Sequence, residues 1–229
     1  MSKRLFLLAF LIFVVACAYL PSAGSTRPKC DVILATPFRN HVGKSVNLDA
    51  VFAIAENSYG VRRKDVKVTH EQSQQNWSAE WLTHGIRTIV WVQNGVVSRV
   101  ILLPEKTHIT AGQVIECVGS QPKWYWAAYG PALPEQLGVR YSFEMWFPDI
   151  GLYVNKRGRA YSAKGLPDLS SHITIDDLII VEPGSLKVVH DRIFYGLPFD
   201  QQPSVLRPRP WPGDWANVFF IEERNYTSW

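Results

Sequence analysis

A concentration of one charge, a clustered set of metal ligands and an apolar run long enough to cross a bilayer are all missing from this 229-residue chain. Basic and acidic residues number 24 and 20. The basic ones are scattered, with Arg62-Arg63-Lys64 and Lys156-Arg157 as short clusters that read as solvated loops. That distribution excludes the dense electrostatic footprint of a nucleic-acid binder. The six histidines (41, 70, 84, 108, 172 and 190) never fall at the i, i+4 spacing of a helical metal site. His70-Glu71 lacks the second histidine of a zinc-protease helix, and His190-Asp191 reads as a turn. No serine sits in a Gly-x-Ser-x-Gly elbow, and no glycine-rich loop is built to cradle a phosphate. Among the acids, Glu144, Asp149, Asp176 and Asp177 are the ones from which a catalytic pair would be drawn. Hairpin edges and helix N-termini account for all four. The sequence therefore offers no catalytic residue, no metal site and no cofactor motif; it reads as non-enzymatic, with an enzyme of unrecognised type as the further alternative.

Cysteine is scarce as well, at three residues, and the first of them carries the strongest signal in the chain. Lys3 and Arg4 precede the apolar run Leu5–Ala16, and Val14-Val15-Ala16 leads directly into Cys17. A basic start, a short apolar stretch and a small residue before the cut make an export signal. Twelve apolar residues are too few to span a bilayer, which needs about 20. The Val-Val-Ala-Cys end resembles the lipobox of bacterial lipoproteins, which implies lipid on Cys17 and a place on the extracytoplasmic side of the cell envelope. Ordinary secretion, with cleavage after Ala18 or near Ser22-Ala23-Gly24, is the alternative. Without Lys3 and Arg4 the balance is 22 basic to 20 acidic residues. Cys30 and Cys117 then remain. In an oxidising compartment they can form a disulfide, or Cys117, set between Ile115 and Val118, serves as a small core residue. Asn76-Trp77-Ser78 and Asn225-Tyr226-Thr227 match the glycosylation pattern, a chance-level signal with eight asparagines in the chain.

The chain divides into a signal (1–17), a Pro/Ser/Gly-bearing tether (18–30) and a body with a weak internal repeat. Val46-Asn47-Leu48-Asp49-Ala50-Val51-Phe52 recurs from Ile109 to Ile115 and again from Ile173 to Ile179, at a spacing of 63 and then 64 positions. Each copy predicts a helix start. Asn47, Thr110 and Thr174 are suited to capping the free N–H groups of the first turn. Asp49, Asp176 and Asp177 sit where the helix dipole favours negative charge. His108 and His172 precede two of these starts and read as helix-entry residues.

Strands follow. Ile86–Val92, Asn94-Gly95 and Val96–Leu102 form the clearest hairpin, with Asn-Gly supplying a type I′ turn. Trp124–Ala128 predicts one strand, and Val139–Phe147 with Leu152–Asn155 a second hairpin. Lys187–His190 and Ile193–Tyr195 read as short strands, Pro198–Pro212 as an extended surface run, and Asn217–Glu222 as a last strand. The expected fold is α+β: tandem helix-plus-antiparallel-sheet units at 31–107 and 108–170, then a partial third unit with the Pro-rich tail at 171–229, packed as one body.

A capped helix, a loop and a Trp-bearing hairpin resemble the small bacterial lipoproteins of the SmpA/OmlA type. Their α/β sandwich is shared with the β-lactamase inhibitor protein, a tandem of two such units. The likeness rests on Asn47 to Phe52 with Trp91 and Asn94-Gly95. In the second unit it rests on Thr110 to Ile115 with Gly119, Pro122, Tyr141 and Gly151. The block from Ile109 to Leu152 also resembles uncharacterised lipoproteins of filamentous green bacteria. The resemblance implies the fold; roles on such folds range from envelope assembly to enzyme inhibition.

The aromatics suggest a surface. Lys123-Trp124-Tyr125-Trp126-Ala127-Ala128-Tyr129 packs four aromatics into seven residues, and alternation sets Trp124 and Trp126 on one face and Tyr125 on the other. An exposed face of this kind suits an envelope protein partner or, as the alternative, a glycan or peptidoglycan bound by Trp124, Trp126 and Tyr129. Trp211 and Trp215 read as pins that hold the tail to the body.

Overall fold

The computed structural model describes residues 29–71, 75–131, 138–194, 198–201 and 207–222. The export signal, Cys17 and nearly all of the tether lie outside the described residues, as do Tyr195 and the glycosylation pattern at Asn225. No helix among the described residues is long and apolar enough to cross a membrane.

Five helices are described: α1 (Cys30–Ile33), α2 (Thr36–Arg39), α3 (Leu48–Tyr59), α4 (Ala111–Val118) and α5 (Leu186–Ile193). The strands in chain order are β1 (Lys67–His70), β2 (Trp77–Thr83), β3 (Ile86–Gln93), β4 (Val96–Pro104) and β5 (Trp124–Pro131). They continue with β6 (Val139–Phe147), β7 (Leu152–Ala160), β8 (Asp177–Ile180), β9 (Arg209–Pro210) and β10 (Ile221–Glu222). All belong to a single sheet in the order β1-β2-β3-β4-β8-β7-β6-β5-β10, with β9 also on β5. Every pairing is antiparallel except β10 on β5.

Local chemistry explains the pieces. Asn94 and Gly95 take φ of 53° and 75°, the left-handed pair a type I′ turn requires between β3 and β4. The side chain of Asn47 accepts from Ala50 N at 2.8 Å and opens α3. Thr110 opens α4 with a reciprocal box: its hydroxyl accepts from Gln113 N while Gln113 Oε1 accepts from Thr110 N. Both helices close on glycine, Gly60 and Gly119, at positive φ.

The third expected helix start is absent. Thr174 bridges Thr110 in extended backbone, with Ala111 N donating to Ile173 O and Ile175 N to Ile109 O. Asp177–Ile180 then runs on as β8, between β4 and β7. The β-branched run Ile173-Thr174-Ile175 finds a ready backbone partner, and pairing there wins over a cap. Lys187–His190 is likewise helix, not strand: Ser185 caps α5 through Val188 N. Among the described residues the expected tandem units are replaced by one continuous, largely antiparallel sheet with few helices.

One face of the sheet holds the main core. α1, α2, α3 and α4 bury Ile33, Phe38, Val51, Ala55, Ala111 and Val114 against Val90, Val100, Leu178, Val154, Phe143 and Ala127. A disulfide between Cys30 and Cys117 ties α1 to α4 across a separation of 87 residues. The tail returns over the far end: Trp211 and Trp215 meet edge to face at 5.0 Å, Trp211 packs on Tyr125 and Trp215 on Phe143. The opposite face of the sheet is covered only in part, and that is where polar chemistry collects.

Candidate functional site

Strict alternation along three neighbouring strands sorts the residues. On β6, Phe143, Met145 and Phe147 enter the main core, which sends Ser142, Glu144 and Trp146 to the second face. On β7, Leu152 and Val154 are core, which sends out Tyr153, Asn155 and Arg157; on β8, Leu178 and Ile180 leave Asp177 and Ile179. The register aligns these into cross-strand rows. The first is Trp124–Trp146–Tyr153–Ile179, the second Trp126–Glu144–Asn155–Asp177, and the third Ala128–Ser142–Arg157.

Helix α5 roofs the first row. His190 stacks on Trp146 with centroids 5.6 Å apart, and Phe194 meets Tyr153 edge to face. Asp191 holds the roof shut at its far side by accepting from Phe199 N at 2.7 Å. His190 is thus a buried helical residue, not part of a turn.

The second row is a buried polar network. Trp146 Nε1 donates to Glu144 Oε2 at 3.2 Å, Ser142 Oγ donates to Asn155 Oδ1, and Asn155 Nδ2 donates to Asp177 Oδ2. Burial pushes the Glu144 carboxyl up to about 7, against the pull of Tyr153, Arg157 and Trp146. Burial also raises Asp177 to about 6, countered by Arg157 and the Asn155 hydrogen bond. Tyr153 is driven upward by burial and by the charge of Glu144. Arg157 feels the same burial in the opposite sense, yet the neighbouring Tyr153, Asp177 and Glu144 keep it firmly protonated. Asp177 Oδ1 is left without a hydrogen-bond partner, while Tyr153 faces both Glu144 and Arg157.

These acids correct the sequence reading. Glu144 lies mid-strand, not at a hairpin edge, and Asp176 and Asp177 open a strand, not a helix. Asp176 instead accepts from Lys156 Nζ at 2.7 Å and from Arg157 N at 2.8 Å. The signal that marks Glu144 is its place in Tyr-Ser-Phe-Glu-Met-Trp-Phe, one acid inside an apolar alternation.

The aromatic run is a strand, and Trp124 and Trp126 share a face opposite Tyr125. Trp126 and Tyr125, however, are 2% and 3% exposed. With so little exposure, neither ring presents itself to a partner or a sugar. Trp124 and Tyr129 are half-buried. Of the expected aromatic surface, Tyr125 and Trp126 are therefore closed off. Among the described residues no group of three or more His, Cys, Asp or Glu is placed to hold a metal.

The open part of the second face lies in the other half of the sheet. Leu82, Arg87 and Leu103 align in one row, Glu80, Ile89 and Ile101 in the next, and Ser78, Trp91 and Arg99 in a third. Leu82 is 44% exposed, and Ile89, Trp91, Ile101 and Leu103 are half-buried and join neither hydrophobic cluster. Arg99 lies 4.9 Å over the Trp91 ring. The chain matches no protein-family model, and no curated protein or solved structure matches it significantly. Its function is therefore read from its own geometry.

Proposed function

We propose that this protein is a membrane-tethered envelope protein without catalysis of its own, which docks a protein partner on the open face of β2, β3 and β4. The tether is the lipid on Cys17. One observation carries the docking reading: Leu82, Ile89, Trp91, Ile101 and Leu103 form a contiguous apolar patch on a sheet face that neither buried cluster absorbs. Arginine-flanked tryptophan and aliphatic anchors are the composition from which interface hot spots are built. The acid network argues against catalysis at its own location, because Glu144 is 7% exposed and a substrate would have to displace what covers that face of the sheet to reach it. The resemblance to tandem lipoprotein units belongs to the same proposal. Its support is the 63-position spacing of two caps that both begin helices, with β4 and β7 mirrored about β8.

The test is a face-directed variant. Leu82→Glu places a charge on the exposed edge of the patch without touching the core. Partner capture from native membranes should fall about tenfold or more, the loss expected at a hot spot, while the melting temperature stays within a degree or two of the parent. Undiminished capture would remove this face from the account.

A further inference from the structure

The third row of the acid-bearing face leads outward to a feature that the docking reading does not use. Beyond Ser142 and Arg157, the next pair in the register is Arg140 directly opposite Arg159, and next to Arg140 on β5 lies Gly130. Alternation puts Arg140, Arg157 and Arg159 on one side of the sheet. Directly opposed residues bring their Cβ atoms to about 5 Å, and the diagonal neighbour to about 7–8 Å. Three guanidinium groups are therefore rooted within reach of a single small anion. Ala128, Gly130 and Ser142 leave a low floor beside them.

Among the described residues none of the three makes an ion pair within 4.0 Å. Arg140 Nε is shielded from solvent and has no acceptor. Arg157 is already faced by Tyr153, Asp177 and Glu144, and Asp176 is held by Lys156 and the Arg157 backbone. That leaves Arg140 and Arg159 as the two opposed cations without an acid within 4.0 Å among the described residues. Like charges placed directly opposite one another in a sheet are destabilising. A bound multivalent anion turns that repulsion into charge-assisted, bidentate contacts, for which planar guanidinium is suited.

We propose that Arg140 and Arg159, with Arg157 at their border, form a binding site for a phosphoryl group. A single carboxylate would leave one of the two opposed cations unanswered; a phosphoryl group offers several oxygens and more than one charge. The group belongs either to a soluble phosphate compound or to an anionic lipid headgroup, and both present the same oxygens to the same side chains. The site is independent of the patch on β2–β4.

The experiment is thermal unfolding of the full chain in non-ionic micelles. One arm adds inorganic phosphate or pyrophosphate, with chloride at matched ionic strength. The other dopes the micelles with phosphatidylglycerol or, as the comparison, phosphatidylcholine. The wild type should gain several degrees with phosphate or pyrophosphate over chloride if the source is soluble. It should gain with phosphatidylglycerol over phosphatidylcholine alone if the source is lipid. Arg140→Gln/Arg159→Gln should lose the gain in either arm, its apparent affinity falling about tenfold or more. Arg159→Glu supplies the second variant: facing Arg140 it makes an ion pair, so it should melt at or above the wild type without added anion and respond to neither. No gain over the controls in either arm, or a double variant that responds as the wild type does, would overturn the site.

Discussion

Thr88 lies fully buried between Trp81 of β2 and Leu102 of β4, and its hydroxyl has no hydrogen-bond partner. A buried hydroxyl without a partner costs about 1–3 kcal/mol. Thr88→Val should therefore raise stability by about 1 kcal/mol, read as a higher urea midpoint at unchanged slope. Glu144 gives the complementary prediction. Its folded-state value of about 7 lies above its ordinary 4.5, and Asp177 at about 6 lies above 3.8. Between each pair of values the folded state holds a proton that the unfolded chain has released, so stability is fully present in acid and declines as pH rises toward 7. Glu144→Gln keeps the acceptor for Trp146 and cannot ionise. It should flatten that decline and melt higher than the parent on the alkaline side, while differing little near pH of about 5. A parent curve that instead rises from acid to neutral would refute the buried-acid reading. Side-chain identity in the sequence does not reveal such burial. Glu144 and Trp126 share a cross-strand row, and whether that face is open or roofed depends on α5, far along the chain.

Elements were legible where the signal was local. The Asn-Gly hairpin, the caps at Asn47 and Thr110, the strand from Trp124 and the hairpin through Gly151 all follow from residues within a few positions of one another. Thr174 shows where that logic stops. Its heptapeptide matches the other two, but Ile109 and Ala111 offer backbone partners more than sixty positions upstream, and the cap is not used. The contrast is testable. Thr110→Ala should cost about 1 kcal/mol, the usual loss for a cap, whereas Thr174→Ala should show no helix-cap signature, its amide exchange changing at the bridge and not along a helix. Trp126→Ala should behave as a core truncation, losing about 3–5 kcal/mol, which a chemical denaturation curve would register directly.

For the molecule as a whole, the two halves of the sheet have unequal covers. The first face is closed along its length by four helices and the tail, and the disulfide fastens the earliest of these to α4. Closing so long a loop should contribute about 4–5 kcal/mol, so reduction ought to lower the melting temperature well below that of the oxidised chain. The second face is roofed by α5 over Trp146 and Tyr153 of β6 and β7 and is open at β2–β4. Alternation in the sequence separated Trp124 and Trp126 from Tyr125 but did not tell which half of the sheet lacks a roof, since that depends on where α5 folds back. The account stands on that open half. A photo-crosslinking residue placed at Leu82 in cells, with one at Asn57 on the exposed side of α3 as the comparison, tests it most directly. The account predicts a discrete adduct with one envelope protein from position 82 and none from position 57. No adduct from 82, or the same adducts from both positions, would contradict it.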